Sequence, residues 1–399
     1  VVEKYRLRKL LPILERVSNA SVYCLAFAMF GYPDNRILMM LIPSMTVAVL
    51  MLRWLMVGSV NLYFFWSWAF TTLVVASVIW AYEPMIALSD ALKVLLTVTV
   101  CFLVSVWLDS YEKITRLFNA ILLSNLWMIS RIILAVPFSY WGTRRFSYIF
   151  GLNVNPLSMR LVLGVVLAMF LIFDNSKKKV KFIYAIHVVI SLGMILLLGS
   201  RRSLVAASVG FMLLRTLTTR KIMKSVVFGA IITFVLIYVS LNVPILYTII
   251  GQRLERTVYS VLGSGALDAG RANLISRGWD LFAQRPFGGW GAGNYQYVSG
   301  FGMYSHNNYV ELLVSFGILG FPLFYVLHCI ILLRTRIHTR LGPLSITLLF
   351  ILLLSDFAAP GYDVFYIHLF LAMLVSFKKI DLVNQYDCDN KLVDALPVH

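Results

Sequence analysis

Long apolar runs separated by short polar connections dominate this chain. A helix that crosses a membrane needs about 20 apolar residues. On that criterion twelve segments stand out, at 17–32, 37–58, 61–82, 91–108, 117–139, 157–174, 182–199, 203–215, 225–247, 308–333, 341–357 and 364–377. The pattern predicts an all-α integral membrane protein of about 12 transmembrane helices. One connection, 248–307, is much longer than the others. Its stretch DAGRANLISRGWDLFAQRPFGG reads as an amphipathic helix. Asp268 suits the N-cap, Leu274, Ile275, Gly278, Leu281 and Phe282 keep helical spacing, and Pro286 with Gly288 and Gly289 ends the run. Arg271 falls one turn before Ile275, on the face turned to the protein or the membrane. The expected organisation is nine helices in 1–247, the large loop 248–307, three helices in 308–379, and a short polar tail at 380–399.

Composition agrees with a membrane setting. Of 399 residues, 60% are hydrophobic and only 13% charged, where a soluble domain carries roughly a quarter charged. The formal charge of +17 therefore points to orientation in a bilayer rather than to nucleic acid. With the N-terminus cytoplasmic, the inner side receives 22 of the 35 basic residues, twelve of them lysine. Both termini are then expected in the cytoplasm and the large loop on the outer side. The thirteen basic residues left outside are twelve arginines and Lys93. Topology needs only charge, so a bias to arginine suggests recognition of a planar anion such as phosphate or carboxylate. Arg36, Arg253 and Arg285 read more simply as interfacial side chains. Cys24, Cys101, Cys329 and Cys388 form neither a disulfide framework nor a CxxC metal pair. The basic, then apolar, N-terminal run lacks a small-residue cleavage site and reads as a retained signal-anchor.

Four constellations could carry chemistry. His306 stands in SHNNYVELLVSFGILG, where the loop enters the tenth apolar segment, flanked by Ser305, Asn307 and Asn308. A histidine there can stay neutral and accept a proton, or can simply hydrogen-bond a carbonyl. GSRRSLVA, 199–206, sets Arg201 and Arg202 at a short outward turn, against the charge rule and in keeping with a bound diphosphate, or simply with a tight turn of solvated arginines. PFGGWGAGNY, 286–295, could offer an anion nest or only a compact turn; without GK[ST] it is no nucleotide loop. YWGTRRFSYIFGLNVNP, 140–156, places Arg144 and Arg145 in another outward loop. His187, His328 and His368 lie in apolar segments, His338 in an inner loop, and His399 at the end. All five read as structural or incidental. Asp387-Cys388-Asp389 has the form of a sugar-nucleotide DxD, but no domain surrounds it, and no metal or cofactor is indicated.

These features together resemble the O-antigen ligase and O-antigen polymerase superfamily. The resemblance is carried by Arg201 or Arg202, by Arg271 with Trp279, by Pro286 and the glycines through Gly293, and by His306, Asn307, Glu311, Gly317 and Gly320. It covers roughly 140–325. It implies a metal-independent transfer of a glycan from undecaprenyl diphosphate at the outer face of the bacterial inner membrane. His306 would take the acceptor's proton, and arginines would stabilise the leaving diphosphate. Arg271 is the favoured second catalytic residue, with Arg277, whose Leu281 better fits the family's arginine–leucine spacing, in competition. Arg201, Arg202, Arg145, Arg277 and Asn307 are the expected substrate-binding residues. The acceptor would be a second lipid-linked repeat for a polymerase, with a chain-length regulator as a further partner, or lipid A–core for a ligase. The stretch HNNYVELLVSFGILG leans to the polymerase, and the ten residues between His306 and Gly317 match the ligase pattern. A lipid-linked glycan transporter is the rival class, and would favour mid-membrane charges and an internal repeat.

Overall fold

The structure is a computed structural model that describes residues 2–141, 148–252, 254–255 and 269–394. It is helical nearly throughout. In chain order the helices are α1 (Val2–Gly31), α2 (Arg36–Val57), α3 (Leu62–Ala76), α4 (Pro84–Trp107), α5 (Tyr111–Ala135), α6 (Val154–Asp174), α7 (Lys178–Leu197), α8 (Arg201–Thr219) and α9 (Ile222–Asn242). After them come α10 (Ala269–Gln284), α11 (Asn308–Arg334), α12 (Gly342–Asp356) and α13 (Phe365–Asp394). A two-residue hairpin, Tyr148–Ile149 with Leu152–Asn153, precedes α6.

Every segment expected to span is helical, yet not all meet the requirement for crossing a bilayer unaided. Among the described residues eight helical segments are long and apolar enough by length and composition alone, including α2, α4, α5, α6, α7, α9 and α11, and α12 is apolar but shorter. Within the polar stretch expected as a tail, α13 extends as far as Asp394. α6 is the hub, with 83% of its most apolar window buried, whereas α9 buries only 11% and presents its apolar surface outward.

Contacts sort the connections into two faces. On one, Arg53 meets Glu15 and Asp109, each at 2.8 Å. There too Arg340 pairs with Asp174 at 2.6 Å, and Arg220 reaches His338 at 2.7 Å. On the other, Arg131 forks onto Asp34 through two 2.8 Å hydrogen bonds. Ser200 donates to Asn155 at 3.0 Å, and the Tyr82 N–H donates to the Trp290 carbonyl at 3.0 Å. The first set joins connections whose charge predicts the inner side, and the second joins those predicted outside. Arg131, counted among the anion-seeking arginines, is thus already paired within the protein.

The tenth apolar segment departs from expectation. Asn308 Nδ2 donates to the Tyr325 hydroxyl at 3.0 Å, and the Tyr309 and Tyr325 rings stack at 5.1 Å. In one straight helix residues 308 and 325 would stand about 25 Å apart. The chain instead turns back at Gly317, whose φ of 67° and ψ of −161° are non-helical. That region is essentially restricted to glycine. A Cβ at this position would stand 2.4 Å from the Phe287 carbonyl oxygen. α11 is therefore a hairpin of a short arm, 308–316, and a longer arm, 318–334, rather than one continuous crossing.

The glycine-rich loop after α10 closes that hairpin. The N–H groups of Trp290 and Gly291 donate to the Val314 and Ser315 carbonyls at 2.8 and 2.9 Å, and the Ile318 N–H donates to the Pro286 carbonyl at 2.7 Å. Backbone groups left over where one arm ends and the next begins are thereby satisfied. Ala292 N–H donates to Ser77 Oγ and Gly293 N–H to the Tyr362 hydroxyl. Gly289 and Asn294 N–H groups donate to Arg285 and Gly291 carbonyls. All six N–H groups from Gly289 to Asn294 are used, so the loop is a clamp on α11. The anion-nest reading of this stretch does not hold.

Candidate active site

His306 is set by its neighbours on both sides. Asn307 is the N-cap of α11, its Oδ1 accepting the Val310 N–H at 3.1 Å. One residue before the histidine, Ser305 donates to Glu311 Oε2 through its N–H at 2.9 Å and its Oγ at 2.6 Å. Glu311 is only 3% exposed. A fixed residue on either side leaves His306 with φ at 58°, in the left-handed region. Non-glycine residues seldom occupy it, histidine more readily than most. Asn308 is a further anchor, its Oδ1 accepting the Gly361 and Tyr362 N–H groups at 2.7 and 3.1 Å. Tyr325 in turn donates to the buried Asp356 at 2.8 Å.

The imidazole faces Tyr304, with ring centroids 4.3 Å apart and planes at 56°. Burial pushes the Tyr304 phenol above its ordinary pKa, and Tyr148 adds to the rise, while Arg202 and Arg271 pull it down. One aromatic side chain thus stands beside the histidine and within the field of two arginines from separate elements. Arg202 in turn lies within electrostatic reach of Tyr366, Arg271, Tyr304 and Asp356. Its Nη1 makes a long 3.4 Å contact with the Ser355 carbonyl, and its Nε and Nη2 are shielded from solvent with no hydrogen-bond partner. Arg160 packs its guanidinium 5.0 Å from the centre of the Tyr366 ring, and its Nε is likewise shielded and unpartnered. Buried guanidinium N–H groups without acceptors are costly; an anionic ligand would supply what they lack.

α10 brings Arg271 within electrostatic reach of Arg202 and Tyr304. Leu274 and Leu281 are 5% and 1% exposed, packed with Tyr295, Val310 and Val314. Gly278 lets the helix approach so closely that a Cβ would lie 2.1 Å from Val310 Cγ1. The apolar face therefore docks on the short arm of α11. Burial, with Glu311 nearby, pushes the Tyr295 phenol to about 12, and that phenol donates to the Leu274 carbonyl at 2.5 Å.

The remaining expected site residues divide. Arg277 extends to the Val298 carbonyl at 3.5 Å, within the loop rather than the arginine–tyrosine cluster. Asn307 is committed through its oxygen to capping. Arg201 begins α8 beside Arg202. Arg144, Arg145, Arg253, Arg256 and Asp268 lie outside the described residues. Arg285 is exposed and stacks 4.1 Å from the Trp290 ring centre. Among the described residues no three His, Cys, Asp or Glu side chains converge to hold a metal ion.

Residues 186–325, about a third of the chain, match the family described as O-antigen ligase. That stretch is similar to the O-antigen ligase family. That match bears out the resemblance to the O-antigen polymerase and ligase superfamily. No curated protein matches the chain. The matched segment runs from α7 into the long arm of α11. It holds Arg201, Arg202, Arg271, Arg277, His306, Asn307 and Glu311. Asp356 and Tyr366, which lie within electrostatic reach of Arg202, and Arg160, which packs on Tyr366, lie outside it. Sequence reasoning singled out none of Tyr304, Tyr366 or Asp356. Tyr304 alone left a trace, two residues before the histidine.

Proposed function

We propose that this protein transfers a glycan from undecaprenyl diphosphate to an acceptor hydroxyl at the periplasmic face of the inner membrane, polymerising O-antigen or a similar surface polysaccharide. The supporting observation is the convergence of His306, Tyr304, Arg271 and Arg202, with shielded Arg202 nitrogens that lack acceptors. In the reaction the acceptor oxygen bonds to the anomeric carbon as the bond from that carbon to the diphosphate oxygen breaks. The hydroxyl proton passes to the His306 imidazole. Negative charge accumulates on the departing diphosphate, where Arg202 and Arg271 stabilise it without reorganisation. A second reading, transfer to lipid A–core, is favoured by the description of the matched family, O-antigen ligase.

Proteoliposomes loaded with an undecaprenyl-diphosphate glycan, in chelator, provide the test. Laddered product with a second lipid-linked repeat is expected for the polymerase, and product only with lipid A–core identifies the ligase. His306→Ala should cut the rate about 10²–10⁴-fold and Arg202→Ala about 10²–10³-fold, with Arg277→Ala changing it little. Undiminished transfer by His306→Ala would overturn the site.

A further inference from the structure

A cavity of about 360 Å³ opens on the face opposite the histidine, between the start of α3, the end of α11, the start of α12 and the middle of α13. Leu62, Ile331 and Leu374 form part of an apolar wall. Arg334, Arg336, Lys378 and Lys379 also line it, all four exposed. None of the four has a carboxylate within ion-pairing distance among the described residues. Asp381, the acid in the lining, accepts the Leu341 N–H at 3.3 Å through its Oδ1. The N-terminus of the fifteen-residue α12 also opens here at Gly342, adding positive potential.

We infer that this cavity binds one anionic diacyl phospholipid, its phosphate among the four cations and its acyl chains along the apolar wall. A soluble phosphate would match the cations but gain nothing from the wall, whereas a zwitterionic lipid would match the wall and lose most of the charge attraction. Basic pockets between helices at this level of a bilayer suit anionic headgroups. Elsewhere on the same face, Lys177, Lys178, Lys179 and Lys181 carry comparable charge, but none of them lines this cavity. They separate a built site from general attraction to the membrane surface.

The experiment is native mass spectrometry of the full chain in mild detergent, titrated with phosphatidylglycerol, phosphatidylcholine or inorganic phosphate. Wild type should saturate with one tightly held phosphatidylglycerol, bound at least about tenfold better than phosphatidylcholine. The combined variant Arg334→Gln, Arg336→Gln, Lys378→Gln, Lys379→Gln should lose that preference. A matched variant of Lys177, Lys178, Lys179 and Lys181 to Gln should keep it. Equal retention by the two variants, or equal loss, would overturn the site. Inorganic phosphate binding as tightly as phosphatidylglycerol would overturn the lipid assignment. If the fourfold variant fails to fold, the pair Arg336→Gln, Lys379→Gln should still weaken phosphatidylglycerol selectively, and unchanged binding there counts against the proposal.

Discussion

The backbone of His306 sits where few side chains are stable, and Glu311 helps to hold it there. With its carboxylate anchoring both the N–H and the hydroxyl of Ser305, Glu311 acts on the imidazole through the turn rather than by touching a reactant. Glu311→Ala should lower transfer about tenfold or more through misplacement. Glu311→Gln retains an acceptor oxygen and should recover much of that loss. The check is single-turnover rates for both variants at matched folded fraction. Arg202 and Arg201 show the limit of reading at this scale. Both are arginines at one turn, and no spacing says which enters the cluster. That depends on the direction α8 takes against α12 and α13, a tertiary fact. His306 and Arg271 were legible because each broke a local rule, as a polar residue at an apolar entry and a cation on an apolar face.

Helices revealed themselves through hydrophobic length and the α10 docking face through its spacing. The hairpin of α11 did not. Gly317 lies in an unbroken apolar run, and hydropathy carries no directional information, so two antiparallel arms read as one span. The glycine loop was ambiguous for a related reason: whether N–H groups face an anion or a carbonyl depends on what lies opposite. Gly317→Ala forces a side chain into a glycine-only conformation and against the Phe287 carbonyl. It should destabilise the protein by about 1–3 kcal/mol, read as a lowered melting temperature in detergent. Gly289→Ala, whose Cβ would lie 2.6 Å from the Ser315 and Phe316 backbone, should do the same.

Across the whole molecule, the two faces make the topology testable. Lys178→Cys and Tyr297→Cys introduce thiols at exposed positions. Only the second is expected to react with an impermeant maleimide added outside intact spheroplasts. The outer face also carries a pH-dependent tie. Arg131 hydrogen-bonds Asp34 and holds its carboxyl below the usual range. The pair therefore contributes stability in full above the unfolded-state value near ~3.9, and loses it as pH falls through the lower folded-state value. Wild type should exceed Asp34→Asn in melting temperature by a constant margin from about pH 7 to 5, with the margin shrinking at more acidic pH.

The turn-back at Gly317 sets a depth. With Tyr325 eight residues along the second arm, Asn308 beside it lies about 12 Å along the helix axis from the bend, a few sugar rings at most. On the proposed reading, only the end of a glycan next to its lipid needs to enter. The rest of the polymer would lie beyond that depth, where the residues around His306 have no gauge for counting repeats. Chain length would then be decided by something other than the residues that make the bond.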